Sequence, residues 1–512
     1  MELLSNVRLR SSNTDERRKD SIKEKFDNRT PIESDYGRLV FSSAFRRLHD
    51  KTQLFPLTQN DNIHSRLTHS MEVASVGRSF AVSILNDKKI KDSLHFGGSD
   101  SDLLRNLTSL IEVICLSHDI GNPPLGHFGE TAIQCYFTSL FNDMKNELKD
   151  AKDMESFKKC PHPVIASEIR KCNGDEKKLE EVKEDLLKFV EGGNLTYDYT
   201  NFDGNAQGFR VITKLQFLND LYGLNLTSAS LASFIKYPNC TKGDKDNDDV
   251  CYHKHGVFVT EANIMKEVMK NCGIDAKSEY VYNRHPFAFL MEASDTICYS
   301  LMDVEDAISK GLCTYADIVC LLKATEKGKE IVEKAGSHFC ENDLEKKKIV
   351  QLRTELMSYL VKTTFKTFSD NYEGICRGEY NEELLEDDEV MKAIKEYTKH
   401  HILTNKEIQN LELTGHAVIS GLLDYYVNYL FHENKSLRKH CKHIMSKTIF
   451  MTTLQEHLDY FGSERKAWNV YDDFDPEELA FEEKFRIIRD YVASMTDKYA
   501  VEQYCKLSGH KI

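Results

Sequence analysis

The chain has 512 residues, with 82 Asp or Glu against 68 Lys or Arg and a formal net charge of −14. No apolar run approaches the roughly 18–20 residues that span a bilayer, and Met1–Ser34 is charged and polar, so we expect no membrane span and no signal peptide. The 14 cysteines include no C-x-x-C pair, which predicts reduced thiols and a cytoplasmic location instead of a disulfide framework.

Helical periodicity dominates the chain, and the alternation typical of strands is scarce. We therefore predict an all-α fold with minor β hairpins, the best strand candidate being G-V-F-V-T at 256–260. No Gly/Ser/Pro-rich linker divides the chain. We expect a polar arm at 1–34, a catalytic core with charged helical insertions at 35–310, and a helical region at 311–512 for scaffolding and subunit contacts.

The first segment with candidate chemistry is the predicted helix that contains Arg66 and His69. Its apolar face runs through Val73, Phe80 and Ile84, and a spacing of three residues places the guanidinium and the imidazole on one side. Taken alone, His69 is equally consistent with an ordinary histidine of the core or the surface that has no functional role.

The most informative segment is S-H-D-I-G-N-P-P-L-G-H-F-G-E, residues 117–130. It follows the amphipathic stretch Leu103–Leu116, and its Gly-Asn-Pro-Pro run predicts an abrupt helix end. His118 and Asp119 therefore offer an imidazole and a carboxylate from one fixed turn, which is half of a divalent-metal site. His127 and Glu130 are three apart, so a short helical turn presents both on one side. The alternative is a polar loop after a helix.

A third segment, F-L-M-E-A-S-D-T-I-C-Y-S-L-M-D, places Asp295, Tyr299 and Asp303 four residues apart. The helical period stacks them along one stripe. Two carboxylates and an aromatic ring on one line suggest a metal ligand beside a small polar substrate. The alternative is a solvated helix face, and the joint occurrence with the His118-Asp119 turn favours the functional interpretation.

The order His69, His118-Asp119, Asp295 resembles the H…HD…D signature of the HD-domain phosphohydrolases. Within that superfamily, six segments are similar to the bacterial deoxyguanosine triphosphate triphosphohydrolases: Phe45–Leu57, Arg66–Ser70, His118–Glu130, Phe202–Arg210, Asp295–Tyr299 and Arg486–Ala500. The departures are small: the family often has an aromatic residue where Leu125 stands and a second aspartate where Ser294 stands.

The resemblance implies that one divalent metal per subunit, Mn²⁺ or Mg²⁺ with iron as an alternative, is held by four residues: His69, His118, Asp119 and Asp295. Two imidazoles and two carboxylates suit these metals better than a thiolate metal. It also implies that His127 and Glu130 form a catalytic dyad, which either activates a water or protonates the departing ester oxygen.

The resemblance further implies a substrate, dGTP or another dNTP, cleaved to a deoxynucleoside and tripolyphosphate. Arg66, Lys236 and Lys254 would bind the phosphates, with Arg210 and Lys214 as weaker candidates. Tyr299 would lie under the deoxyribose, and Asp303 would accept the 3′-hydroxyl. Gln53 would lie by the base, whose edge an amide can read with both a donor and an acceptor.

Two other classes of function stay open: another HD-type hydrolase of a different nucleotide, and a nucleotide or single-stranded DNA sensor without catalysis. The family resemblance also implies a homo-oligomer, commonly a hexamer. The basic patch Arg438–Lys442, with His443, either binds single-stranded DNA or an allosteric nucleotide or is a solvated helix end.

Overall fold

A computed structural model of the chain describes residues 1–9, 28–57, 63–216, 222–340, 343–463 and 466–510. These residues are mostly helical, and their only sheet is an antiparallel pair of short strands, β1 (Ala276–Ser278) and β2 (Val281–Tyr282). The predicted all-α fold with minor β structure is confirmed. None of the described helices combines the length and apolar character that crossing a membrane requires.

The predicted strand at 256–260 is wrong, because a 3₁₀ helix forms at Val259–Glu261 and no strand precedes it. The backbone N–H groups of Gly256 and Val257 both donate to the Asn239 carbonyl, and the Val259 N–H donates to Asp198 Oδ1. A buried side chain and one carbonyl therefore occupy the donors that a strand ladder would need.

The described residues up to Ser309 form fourteen α-helices. Their bounds are α1 (Pro31–Val40), α2 (Ser43–Arg47), α3 (Arg66–Asn86), α4 (Lys88–Ser93), α5 (Asp100–Ser117), α6 (His127–Asp150), α7 (Met154–Lys158), α8 (Pro163–Lys171), α9 (Glu176–Glu191), α10 (Asn194–Thr200), α11 (Gly204–Arg210), α12 (Ser228–Phe234), α13 (Ala262–Asn271) and α14 (Pro286–Ser309). Helices α3, α5 and α14 contact one another and carry the three motif segments.

Ten helices follow. Their bounds are α15 (Tyr315–Leu322), α16 (Glu326–Gly336), α17 (Glu345–Arg377), α18 (Glu389–Tyr397), α19 (Lys406–Leu430), α20 (Lys435–Ile444), α21 (Lys447–Tyr460), α22 (Ala467–Val470), α23 (Phe481–Ala493) and α24 (Asp497–Leu507). A π-helical turn, Thr398–Ile402, extends α18.

Two hydrophobic cores alternate along the sequence. The first is built from residues between Leu3 and Ile120 and between Phe209 and Ile408, and the second from residues between Leu125 and Ala206 and between Val418 and Ala500, together with Phe258. The chain therefore passes from one core to the other between Ile120 and Leu125, inside the H-D-I-G-N-P-P-L segment. The expected functional division near residue 310 stays a prediction.

Candidate active site

The His118-Asp119 pair lies directly after α5, as the sequence predicts. Helix α5 is amphipathic and its apolar face is buried, so packing fixes where the helix ends. His118 Nδ1 donates to the Cys115 carbonyl at 2.7 Å, which leaves Nε2 directed to the site. Asp119 Oδ2 accepts from Arg66 Nη1 at 2.6 Å, and Asp119 Oδ1 accepts from the Asn122 amide at 2.5 Å.

His69 and Asp295 complete the cluster from α3 and α14. His69 is fully buried, and its Nε2 lies 3.0 Å from Asp295 Oδ1. The same carboxylate oxygen lies 3.4 Å from His118 Nε2, which in turn lies 3.6 Å from Asp119 Oδ1. The structure therefore brings together the four side chains that the sequence analysis names as metal ligands.

This group fits a divalent metal. His69, His118 and Asp119 each offer a ligand atom, and these atoms lie within 4.8 Å of one another. His118 Nε2 is buried and has no hydrogen-bond partner, which fits a nitrogen atom that serves as a metal ligand. Imidazole nitrogens and carboxylate oxygens are the donors that Mn²⁺ and iron accept.

The charges of the cluster are strongly coupled. Burial would raise the pKa of Asp119, but Arg66, His118 and His69 lower it to about 2. Burial opposes protonation of His118, while Asp119 and Asp295 raise its pKa to about 9. Both carboxylates are therefore ionised and available as ligands, and binding a cation would release the imidazole proton.

His127 and Glu130 form the predicted pair at the first turn of α6. His127 Nδ1 lies 2.8 Å from Glu130 Oε2, and Glu130 Oε1 accepts from the Gly204 N–H at 2.8 Å. The hydrogen bond to Glu130 and its charge raise the pKa of His127. Because the Glu130 side chain is 10% exposed and that of His127 78% exposed, the carboxylate is fixed while Nε2 of the imidazole is open.

One cavity of about 520 Å³ unites the site. The site residues predicted from the sequence line it, except His69, which contacts Asp295, and the weaker phosphate-binding candidates Arg210 and Lys214. The lining residues come from the segment before α3 and its first residue, the α5–α6 turn and the start of α6, helix α11, the loops at 236 and 254, helix α14, and the end of α18 with the turn that follows it.

Three predicted phosphate-binding cations line this cavity, each beside a carboxylate. Arg66 pairs with Asp119, Lys236 Nζ lies 3.4 Å from Glu292 Oε1, and Lys254 Nζ lies 2.9 Å from Asp203 Oδ2. Asp203 is the main cause that raises the pKa of Lys254. The lysines are therefore charged, and the carboxylates reduce the net positive charge that a polyphosphate meets.

Three polar groups in the lining of the cavity have no hydrogen-bond donor beside them. Asp303 Oδ1, Gln53 Oε1 and the Thr398 hydroxyl are buried there without hydrogen-bond partners. Burial, with Asp306 and Asp295, raises the pKa of Asp303 to about 7. Tyr299 lies one helical turn before Asp303 on α14, as the stripe predicts. Buried acceptors in this state fit a ligand with hydroxyl or N–H donors.

Two weaker predictions are wrong because the cations concerned are engaged elsewhere. Arg210 is fully buried, and its guanidinium donates to Glu261 and Asp490 at 2.6 and 2.7 Å, away from the cavity. Lys214 Nζ pairs with Glu456 at 3.3 Å.

Two cations of the basic patch on α20 have neither of the predicted roles, which were a binding surface for nucleic acid or nucleotide and a solvated helix end. Arg438 is bound by Asp475 and Glu477, and the buried Lys442 donates to the carbonyls of Tyr471 and Phe474. These two cations therefore hold the 471–477 segment in place and are not part of an open basic surface.

Four residues of the C-terminal region also line the cavity and were not predicted from the sequence: Lys395, Thr398, Lys399 and Leu403. Lys395 Nζ lies 3.2 Å from Glu383 Oε2. The spacing of Lys392, Lys395 and Lys399 at three and four residues is the available sequence signal, but many solvated helix faces share it. In the structure, the π-helical turn at Thr398–Ile402 also indicates a functional site, because such turns frequently occur there.

Comparisons with known proteins agree with this geometry. A family model described as a phosphohydrolase-associated domain matches residues 462–506. Deoxyguanosinetriphosphate triphosphohydrolases of Yersinia pestis (strain Pestoides F) and Serratia proteamaculans (strain 568) are each 30% identical to the chain, over 95% and 94% of it and 95% of their own length. The one of Cronobacter sakazakii (strain ATCC BAA-894) is 31% identical over 93% of both chains. The chain therefore belongs to the deoxyguanosinetriphosphate triphosphohydrolase family, which is a family of hydrolases.

Proposed function

We propose that the chain is a metal-dependent dNTP triphosphohydrolase that prefers dGTP and converts dGTP and water to deoxyguanosine and tripolyphosphate. The observation that supports this most strongly is the arrangement of one cavity. Its lining includes His118, Asp119 and Asp295 of the proposed metal site, the His127–Glu130 pair, the cations Lys236 and Lys254, and buried acceptors without hydrogen-bond partners.

The proposed ligands of the metal are His69, His118, Asp119 and Asp295. When bound, a divalent ion polarises phosphoryl oxygens and lowers the pKa of a bound water. Arg66 holds Asp119 through its Oδ2, and Cys115 fixes the His118 ring through Nδ1. These contacts orient the donor atoms before any ligand arrives.

His127 is the proposed proton donor. Glu130 raises its pKa, which favours the imidazolium, and the Nδ1 contact leaves the Nε2 proton for the cavity. Attack of water on the α-phosphorus breaks its bond to the 5′-oxygen, and that oxygen takes the Nε2 proton as deoxyguanosine leaves. The proton that the water loses restores the imidazolium of His127 for the next turnover. Glu130, held by the Gly204 N–H, keeps the ring in place during the transfer.

Different residues of the cavity lining would bind the phosphates, the sugar and the base of the substrate and so orient it. Lys236, Lys254 and Arg66 would bind the triphosphate, and Asp303 would accept the 3′-hydroxyl of a sugar lying against Tyr299. Gln53 would read the base edge through its amide. A 2′-hydroxyl would press on the Tyr299 ring, so we expect discrimination against ribonucleotides.

The test is a product assay with each of the four dNTPs and Mn²⁺ on purified protein. Deoxynucleoside and tripolyphosphate are the expected products, with dGTP turned over fastest. Release of dGMP or dGDP would replace the proposal with another nucleotide hydrolase, and binding without turnover would replace it with a sensor. Gln53→Ala should narrow the difference in kcat/KM between dGTP and dATP, whereas an unchanged ratio would assign base reading elsewhere.

We further propose a cytoplasmic homo-oligomer, a hexamer by family resemblance, regulated by single-stranded DNA or a nucleotide. A second cavity, of about 630 Å³, supports an anionic regulator because Arg29, Arg38, Arg46 and Arg47 line it. Burial and the neighbouring Arg46 lower the pKa of Arg47, so an anion there would relieve repulsion. The 14 free cysteines support a reducing compartment.

A further inference from the structure

Asp497 is a buried carboxylate far along the chain from the motif segments that it contacts. It is the first residue of α24, and only 3% of it is exposed. Its Oδ2 accepts from the Thr52 N–H at 2.9 Å and from the Thr52 hydroxyl, and its Oδ1 accepts from the Leu125 N–H at 2.8 Å. One carboxylate therefore joins the K-T-Q segment to the turn that precedes α6.

The turn at Leu125 and Gly126 needs such support. Both residues have positive φ, 65° and 59°, a region of backbone conformation that is strained for a leucine. A side chain at Gly126 would meet Arg66 Nη2 at 2.7 Å, so the turn also lies against the guanidinium that holds Asp119. Helix α6 begins with His127 immediately afterwards, so the direction of this turn sets where the imidazole lies.

The Oδ2 atom of the Asp497 carboxylate holds Thr52, the residue that precedes Gln53. Thr52 pairs with Ser65 in an isolated β-bridge, and the Gln53 N–H donates to the His64 carbonyl. These contacts and the two bonds from Thr52 to Asp497 hold the backbone on both sides of the Gln53 amide.

A second C-terminal contact acts in parallel. Lys51 is 3% exposed, and its Nζ donates to the carbonyls of Asn122 and Ala493. Ala493 is the last residue of α23. The ends of α23 and α24 thus hold the same two motif segments at neighbouring points.

We propose that Asp497 is a positioning residue for catalysis, which acts by fixing the Leu125–Gly126 turn that delivers His127 and the Thr52–Gln53 backbone. This inference rests on the proposed role of His127 and assigns part of the 462–506 segment to the chemistry of the site. Because each carboxylate oxygen accepts from a different motif segment, an amide in its place would turn an N–H donor towards one of them.

The test is Asp497→Asn, with Asp475→Asn as a matched control. Asp475 is another buried carboxylate of the same 462–506 segment, paired with Arg438 at 3.0 Å and absent from the cavity lining. We expect Asp497→Asn to lower kcat by about 10–100-fold, as for residues that orient a reacting group, with metal content retained. Asp475→Asn should destabilise the fold without this loss of kcat.

A double-mutant cycle separates positioning from general damage. In a His127→Ala background, Asp497→Asn should change kcat by less than about threefold, because the residue it positions is gone. An additive loss in that background, or a near-native kcat for folded Asp497→Asn, would overturn the proposal.

Two measurements keep the test decisive if Asp497→Asn fails to fold or the wild type proves inactive. Thr52→Val removes one donor to Asp497 and should raise KM several-fold with a smaller change in kcat, and an unchanged KM would count against the role. Hydrogen exchange of the peptide spanning 124–130 should accelerate in Asp497→Asn relative to Asp475→Asn. Equal exchange would overturn positioning, whereas faster exchange in an inactive wild-type background would leave only the proposed function refuted.

Discussion

Two buried groups of charges in this protein look alike in composition and differ in what they leave open. Around Arg210, the carboxylates of Glu261, Asp490 and Glu456 pair with guanidinium groups at 2.6–2.9 Å. Arg210 Nη2 has no hydrogen bond, but it lies 3.9 Å from Glu456 Oε2 and outside the cavity. Around His118, Asp295 meets only imidazoles, and His118 Nε2 has no hydrogen-bond partner. Buried charges that are paired with one another join helices, whereas donor atoms without partners beside a cavity indicate a ligand.

The largest expected effect follows from removing a ligand of the His118 cluster. Asp119→Ala or His69→Ala takes away one of four proposed protein donors, so both variants should lose bound metal and all detectable turnover. Elemental analysis of the purified variants is the measurement. Full metal occupancy in both would contradict the four-ligand assignment.

Removing the catalytic imidazole should separate chemistry from metal binding. His127→Ala should lower turnover by about 10²–10⁴-fold, the usual contribution of general acid–base catalysis, with metal content unchanged. Single-turnover kinetics beside elemental analysis test this. Near-native turnover with metal present would move the proton transfer to another residue.

The Arg210 group should respond in the opposite manner. Arg210→Met leaves the buried Glu261 without its guanidinium partner, while Asp490 keeps Arg489, and this should reduce the free energy of unfolding by about 3–5 kcal/mol. Urea unfolding measures this loss. The kcat and metal content of the folded fraction should match the wild type, and loss of metal without loss of stability would erase the distinction between the two groups.

Substrate analogues test whether the partner-free acceptors read the sugar. Without a 3′-hydroxyl, Asp303 would be desolvated and unpaired, at a cost of about 1–3 kcal/mol. Hence 2′,3′-dideoxy-GTP should have a lower kcat/KM than dGTP, and GTP should also be poorer because of Tyr299. Equal hydrolysis of GTP and dGTP would rule out the Tyr299 contact as the basis of sugar selection.

The smallest effect concerns pH and the Asp303 carboxyl in protein freed of metal by chelation. Its pKa is about 7 in the folded protein, above the ordinary value of 3.8, so ionisation costs stability. That cost is absent below pH 4, grows between pH 4 and 7, and is constant above. Asp303→Asn should therefore raise the free energy of unfolding more at pH 8 than at pH 4. An equal change at both values would mean that Asp303 is not destabilised by its surroundings.

The parts of the site that the sequence predicts are those in which short spacing determines geometry. Adjacent residues after a buried helix, or residues three and four apart on one helix, are neighbours in any fold, as with His127 and Glu130. Lys395 and Thr398 come from a distant helix, and no local pattern distinguishes them from a solvated face. Arg210 shows the converse error, because a motif position can be occupied by a buried ion pair that helps to hold the fold. The prediction of a strand at 256–260 was wrong for a similar reason, because the Asp198 carboxylate that accepts from the Val259 N–H is distant in sequence.

The alternation of the two cores has a consequence for how the chain is made. Helix α6 packs mainly on α19 and belongs to a core that is completed only by α23 and α24. During synthesis its apolar face must therefore stay uncovered until most of the chain has left the ribosome. Premature termination after Ile408 but before α23 would release a chain whose second core is unfinished, so proteolytic quality control would meet truncated products with exposed apolar helices.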